Sequence, residues 1–182
     1  MPVYISLLRG INVGGHKKVK MEALRASFEA LGFEQVKTYI QSGNVVFKTG
    51  KVSPAALSKR IEETIMRDFG FPASVIVRSG AELGKIIAAN PFLTQRGIDH
   101  EKLHVTFLSD VPATPALKKL AEFTVAPDQS QCEGKEIFLY LPNGFSASSL
   151  WKVPWEKALA VVTTTRNWKT VNVLHQMCRD CE

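Results

Sequence analysis

Apolar positions in the first half of the chain change period in a regular order. Val3–Leu8 is a short apolar run of strand length. Met21, Leu24, Phe28 and Leu31 then recur at helical spacing, and Gly32 follows as a C-cap, which predicts the first helix. Val36–Ile40 and Val45–Lys48 read as strands around Gln41-Ser42-Gly43-Asn44, a hairpin turn signal. Ser53-Pro54 supplies an N-cap and a first-turn proline for a second stripe, Leu57, Ile61, Ile65 and Phe69, which Gly70 closes. Ala73–Arg78 is a fourth strand. The order βαββαβ is that of a ferredoxin-like unit.

A connecting helix over 80–90 ends at Asn90-Pro91, and the order then starts again. Leu103–Leu108 reads as a strand, and Thr114-Pro115 opens a helix through about Phe123. Gln129–Cys132 and Glu136–Leu141 form a second hairpin around Glu133-Gly134-Lys135. A helix near Pro154–Leu159 and a short strand at Ala160–Thr164 complete the second pass. A final helix starting near Arg166-Asn167 carries Trp168, Val171, Leu174 and Cys178 inward. The predicted class is therefore α+β, with two packed ferredoxin-like βαββαβ halves, antiparallel sheets, and connecting and C-terminal helices. The boundaries are 1–79 for the first half, 80–101 for the connecting helix and loop, and 102–182 for the second half with its C-terminal helix. The repeat is one of pattern, not of residue identity.

Composition narrows the classes. At 182 residues, 45% hydrophobic and 22% charged, the chain is long enough to bury a sizeable core. No apolar run approaches the roughly 20 residues of a membrane span, so no membrane partner is expected. The start, Met1-Pro2-Val3-Tyr4-Ile5, lacks a basic leader followed by an apolar block. Three cysteines, Cys132, Cys178 and Cys181, suit a reducing compartment. A cytoplasmic location is the expectation. Net charge is +6, and residues 1–91 hold 13 Lys/Arg against 7 Asp/Glu while residues 92–182 hold 10 against 10. The whole excess lies in the first half, with Arg9, Lys17, Lys18 and Lys20 close together, a bias that suits an anionic partner although a solvated basic face is its commoner cause.

The stretch Leu7-Leu8-Arg9-Gly10-Ile11-Asn12-Val13-Gly14-Gly15, followed by His16-Lys17-Lys18, is a glycine-rich, basic turn between a strand and an amphipathic helix. Such a turn offers free backbone N–H groups to an anion. In a ferredoxin-like sheet the third strand lies between the first and second, so the end of strand one adjoins Ser42-Gly43-Asn44. Arg9, Asn12, Gly14, Gly15, Lys17, Ser42, Gly43 and Asn44 are therefore expected to share one rim, a candidate oxyanion or phosphate site. A purely conformational reading stands beside it: the glycines supply positive φ, and Ser42-Gly43-Asn44 is hairpin chemistry. A second candidate is Thr163-Thr164-Thr165-Arg166-Asn167-Trp168, where Thr165, Arg166 and Asn167 meet at a predicted helix N-terminus. There the alternative is an N-cap, Thr165 or Asn167, with Trp168 as a core anchor.

Other chemistries find little footing. Gly10–Lys17 has the glycine spacing of a P-loop, but the lysine is displaced by one position and the magnesium-binding hydroxyl is missing. It is not Gly-x-Gly-x-x-Gly either. Cys178-x-x-Cys181 with His175 falls short of the four ligands of a structural zinc, so no metal and no cofactor is expected. His16, His100, His104 and His175 are scattered, and no serine-hydrolase or metalloprotease signature occurs. Base stacking in the RNA-binding mode of this fold needs exposed aromatics on strands one and three, where Tyr4 and Phe47 are the candidates.

The three ordered motifs, Leu7–Gly15, Gln41-Ser42-Gly43-Asn44-Val45-Val46-Phe47, and Thr164-Thr165-Arg166-Asn167-Trp168 with Thr170-Val171, resemble the hallmarks of the bacterial domain of unknown function 1697 family. The resemblance spans almost the whole chain and implies an α+β fold of two ferredoxin-like halves. It brings no activity, and the cysteine-bearing tail lies outside the family pattern. The functional expectation is a protein binding an anionic small molecule, a phosphorylated one being the candidate, at the Arg9–Gly15 and Ser42–Asn44 rim, with Thr165, Arg166 and Asn167 as further partners. The alternatives are nucleic-acid binding through the basic first half, or an enzyme of unrecognised type on the same rim.

Overall fold

The computed structural model describes residues Met1–Glu182 and contains two antiparallel four-stranded sheets. The chain divides into two units, Met1–Gly84 with Val173–Glu182, and Lys85–Asn172. In the first, β1 (Val3–Leu8), α1 (Met21–Ala30), β2 (Glu34–Tyr39), β3 (Asn44–Lys48), α2 (Pro54–Phe69) and β4 (Val75–Ser79) follow in βαββαβ order. The strands line up β2-β3-β1-β4. The start of α3 (Gly80–Ala88) and the end of a C-terminal helix complete the unit.

Period-two alternation decides which side chains of β1 meet the helices. Tyr4 and Leu8, with Val45 and Phe47 of β3 and Val75 and Val77 of β4, form one core with Leu24 and Phe28 of α1 and Leu57, Ile61 and Ile65 of α2. Both helical stripes run at i, i+4, so each helix lays one apolar line on the sheet. Phe28, Phe33, Phe47 and Tyr4 form an aromatic cluster whose tightest pair, Phe33–Phe47, has ring centroids 4.4 Å apart. Ile5, Leu7, Val46 and Ile76 alternate onto the opposite sheet face and are buried as well. The strands are therefore near-continuous apolar runs, as two-sided burial requires.

The second unit repeats the topology with β5 (Leu103–Leu108), α4 (Thr114–Phe123), β6 (Gln129–Glu133), β7 (Glu136–Tyr140), α5 (Trp155–Leu159) and β8 (Thr163–Asn167), in strand order β6-β7-β5-β8. The last helix, α6 (Trp168–Arg179), follows directly. The likeness reaches individual hydrogen bonds. Leu8 N donates to Gly43 O and Leu108 N to Lys135 O, each at 2.9 Å. Arg9 N donates to Ser74 O and Ser109 N to Val162 O, again at 2.9 Å. Ser79 and Asn167 close β4 and β8 and cap the next helix through Glu82 N and Thr170 N.

Most predicted elements stand, with one displaced. The last strand runs Thr163–Asn167, not Ala160–Thr164. Ala160 is left-handed at φ 56° and terminates α5, whereas the β-branched threonines pair with β5 from Leu108↔Thr163 to His104↔Asn167. The Thr-Thr-Thr-Arg-Asn stretch is thus edge strand, and its last residue, Asn167, caps the helix that follows. β4 likewise starts at Val75 instead of Ala73, and β2 starts at Glu34 with an irregularity at Gln35, φ 50°. Trp168, Val171, Leu174 and Cys178 are buried, as their spacing required.

Two outcomes follow. Gly43 and Gly32 share φ +78°, but a Cβ on Gly43 would lie 2.7 Å from Leu8 Cβ while one on Gly32 meets nothing within 4 Å. Gly43→Ala should lower unfolding free energy by about 2–4 kcal/mol in urea titrations, and Gly32→Ala by only about 1. A similar cost at both sites would remove steric contact as the cause. Burial pushes His104 below the ordinary imidazole range, against the raising effect of a backbone hydrogen bond at Lys102, and its Nδ1 has no partner. The unfolded chain then binds the proton more readily, so this contribution to stability is present above the ordinary pKa of about 6.5 and declines as pH falls below it. His104→Phe should reduce the loss of Tm between about pH 7 and pH 5; an unchanged loss would contradict the assignment.

Candidate functional site

Between β1 and α1 the chain spends twelve residues, Arg9–Lys20. Its centre is a miniature hairpin. Asn12 N donates to Lys17 O at 3.1 Å and His16 N to Val13 O at 3.0 Å, around Gly14 and Gly15 at φ 58° and 77°. Two successive positive φ values make a type I′ turn, which Gly-Gly adopts without Cβ strain. The glycines therefore fold the loop on itself through a two-residue turn.

Asn12 fixes this hairpin to its surroundings. Its Oδ1 accepts from Val19 N at 2.8 Å, and its Nδ2 donates to Val19 O and to Gln41 O, both at 3.0 Å. One amide thus joins the loop, the approach to α1 and the β2–β3 turn. The turn is closed by Asn44, buried, whose Nδ2 donates to Tyr39 O at 3.1 Å and to Ser42 Oγ at 2.8 Å. Gly43 lies under Leu8 and Ile11. Lys17 leans away, donating to Pro72 O at 2.9 Å with its ammonium 5.8 Å from the Phe71 ring centroid. The two rim stretches adjoin one another, with Asn12 as the clasp.

A cleft of about 660 Å3 opens at the start of α1. Asn12 and Gly15 form its hairpin wall and Gln41 its turn wall. Lys18, Val19, Lys20, Met21 and Glu22 complete it from the entry into the helix. Lys20 occupies the N-cap position and makes no side-chain cap hydrogen bond. Ser53 caps α2 through Ala56 N, and Ser79 and Glu82 cap α3 reciprocally at 3.1 and 2.7 Å, whereas α4, like α1, starts without a side-chain cap. The first N–H groups of α1 are thus left without a side-chain acceptor at the wall of a basic cleft. Of the predicted rim only Asn12 and Gly15 line the cleft; Lys18, Val19, Lys20, Met21, Glu22 and Gln41 are lining residues missing from it. The signal was there: a helix opened by Lys-Val-Lys with no Ser, Thr, Asp or Asn at its N-cap.

The same connection in the second unit is an internal control. There, β5 passes to α4 through five residues, Ser109–Ala113. The flanking hydrogen bonds are the same, yet no glycine and no lysine occurs in that segment. Closing the βα connection of this fold does not require the hairpin.

Thr165, Arg166 and Asn167 belong to the second unit, and their side chains are engaged there. Thr165 Oγ1 lies 2.8 Å from Thr106 Oγ1 across the β5–β8 pair. Arg166 is buried, donates to Thr164 Oγ1 at 2.7 Å and Thr165 O at 2.9 Å, and has its pKa lowered by burial to about 10, so it stays charged at neutral pH. Asn167 Oδ1 caps α6 by accepting from Thr170 N at 2.8 Å. This stretch holds its own sheet edge and helix start.

Tyr4 and Phe47 stack at 6.0 Å inside the helix-covered core, and Tyr4 bonds through its hydroxyl to Val52 O. They offer no surface for base stacking. Cys178 and Cys181 are buried, and burial above all pushes the Cys178 thiol up to about 12, away from thiolate chemistry. No three metal-ligating side chains converge. No helix is long and apolar enough to cross a membrane.

Comparison with known proteins agrees with this architecture. Among solved structures, the conserved bacterial protein SP0830 from Streptococcus pneumoniae superposes with a TM-score of 0.78 at 28% sequence identity, covering 97% of this chain and 98% of that one. No curated protein matches. The model of the protein of unknown function family DUF1697 matches residues 1–138. The chain thus belongs to the DUF1697 family, with the α+β fold that the resemblance implied, and the first two motifs fall within the matched residues.

Proposed function

We propose that this protein binds an anionic small molecule, one bearing a phosphate or carboxylate, in the cleft at the start of α1. The observation that carries the reading is the hairpin insertion, twelve residues where the other unit uses five. The longer connection brings Lys18 and Lys20 to an uncapped helix end and walls that end with the hairpin and Gln41. Helix N–H groups and the helix dipole favour negative charge by roughly 0.3–1 kcal/mol at an exposed site, and charge-assisted bonds from lysines add to this. A concave site of this size suits a small ligand, whereas a nucleic-acid strand would call for an extended groove or exposed aromatics.

The ligand set is led by Lys18, Lys20 and the α1 amides, with Gln41 and Gly15 at the walls. Asn12, Gly43 and Asn44 shape the rim, and Arg9, Gly14, Lys17 and Ser42 flank it. Titration calorimetry of the full chain with inorganic phosphate, pyrophosphate and short carboxylates should detect binding that the double variant Lys18→Ala/Lys20→Ala weakens roughly tenfold or more. Lys118→Ala/Lys119→Ala in α4 should bind like wild type. Equal affinity in all three proteins would refute the cleft as the site. Tighter, steeply salt-dependent binding of an oligonucleotide, lost in the same cleft variant, would replace the small-ligand reading with nucleic acid.

A further inference from the structure

The second unit has a long connection of its own, away from the cleft. Between the third strand and second helix of each pass, the first unit uses five residues, 49–53, and the second uses fourteen, 141–154. In the first unit that link is pinned by Tyr4, the second residue of β1. Its hydroxyl donates to Val52 O at 3.0 Å and accepts from Val52 N at 3.3 Å. The second residue of β5 is His104, set opposite Asn167 as Tyr4 is set opposite Ser79. It holds the longer link differently. Its ring packs on Phe145 with centroids 5.6 Å apart, and Phe145 in turn meets the exposed Trp151 edge-on at 5.4 Å.

Residues 142–147 lie between two fixed ends. Leu141 is buried and its N donates to Lys102 O at 3.0 Å. Ser148 is buried and its hydroxyl donates to Asp128 Oδ2 at 2.6 Å. Asn143, Ser146 and Ala147 are exposed between these ends, and Phe145 is the one large apolar side chain. The imidazole beneath it has a buried Nδ1 with no hydrogen-bond partner. A neutral ring tolerates this, because Nδ1 then stands as an unused acceptor. Protonation puts an N–H donor and a charge at that atom, where the structure supplies no acceptor.

No carboxylate offsets that charge. Leu139 and Asn167, opposite His104 on β7 and β8, do not titrate, and residues 142–147 carry no charge. Lys102 is the charge that acts on the ring, and it disfavours a second cation; burial outweighs the Lys102 backbone, which favours one. Neither Asp128, held by Ser148, nor Glu156 on α5 acts on its titration. Glu101 before β5, Lys118, Lys119 and Glu122 on α4, and Lys152 and Lys157 after Trp151 are exposed to solvent.

We propose that residues 142–147 are a proton-operated flap: when His104 takes up a proton, Phe145 leaves the imidazole and water reaches Nδ1. The flap turns on Leu141 and Ser148, and opening it uncovers the faces of Phe145 and His104 while the sheet stays paired. Acidification is therefore the opening signal, because only the open form hydrates the imidazolium.

Amide hydrogen exchange of the full-length protein, with rates normalised to the unstructured chain at each pH, tests this. The reporters are Gly144 N, which donates to Leu141 O, and Ser148 N, which donates to Phe145 O. Between about pH 7.5 and 5.5 their protection should fall several-fold, up to about tenfold, since an exposed imidazole of pKa about 6.5 is protonated roughly ten to one at the lower pH. Amides of β5 and β7 should keep their protection. His104→Phe keeps a ring against Phe145 and takes up no proton, so its flap should stay protected at both pH values. Phe145→Ala, at the tip, removes the ring that closes the flap, so protection should already be low at the higher pH and fall no further. Equal protection of the wild-type flap at the two pH values overturns the proposal, as does the same fall in His104→Phe. A fall shared equally by β5 and β7 overturns it too, because the whole unit is then loosening.

Discussion

Gly43 sits where β1 passes into the loop that walls the cleft. Its carbonyl accepts from Leu8 N at 2.9 Å, and its missing side chain lets Leu8 and Ile11 close over the turn. At φ +78° with Leu8 Cβ only 2.7 Å from where its own Cβ would be, the position excludes every other residue on two counts. The contact aligns the β2–β3 turn with the end of β1. From there the Asn12 amide reaches Gln41 O and the Val19 backbone together. Hairpin, turn and helix start are thereby held as one rim.

The molecule uses one βαββαβ plan twice and varies its connections, twelve residues against five between the first strand and helix, and five against fourteen between the third strand and the second helix. Both units make the same hydrogen bonds where the first strand of each ends, and both end their last strand in a side chain that caps a helix. They part at the strand-to-helix connection, where the second unit takes the short route. A scaffold that closes with five residues has no folding need for twelve, and surface connections are where functional groups are most readily added to a fixed sheet.

Much of the architecture was legible in the residues because the strongest signals are local. The i, i+4 stripes of α1 and α2, the Ser53-Pro54 start and Gly70 stop, and the apolar runs of β1 and β5 all reflect single-element periodicity. The misplaced strand shows the limit. Thr163–Asn167 is polar by composition, yet as an edge strand it buries Thr163, Thr164 and Arg166, and its register is set by β5, far away in sequence. Among the predicted site residues, the nearness of Arg9–Gly15 to Ser42–Asn44 followed from strand order alone. The pairing of Thr165–Asn167 as an edge strand against β5 did not.

The sequence by itself determined the fold class, the two ferredoxin-like passes, the basic bias of the first half and the family, since all four rest on composition and short-range pattern. Tertiary structure alone decided how the glycine-rich loop folds. Hydrogen bonds from one asparagine to Val19 and Gln41 hold the loop as the hairpin wall of the cleft that Lys18, Lys20 and Glu22 also line. No local pattern carries that outcome. An amide shows its free donors and acceptors in sequence, but only folding shows which of them the protein has already used.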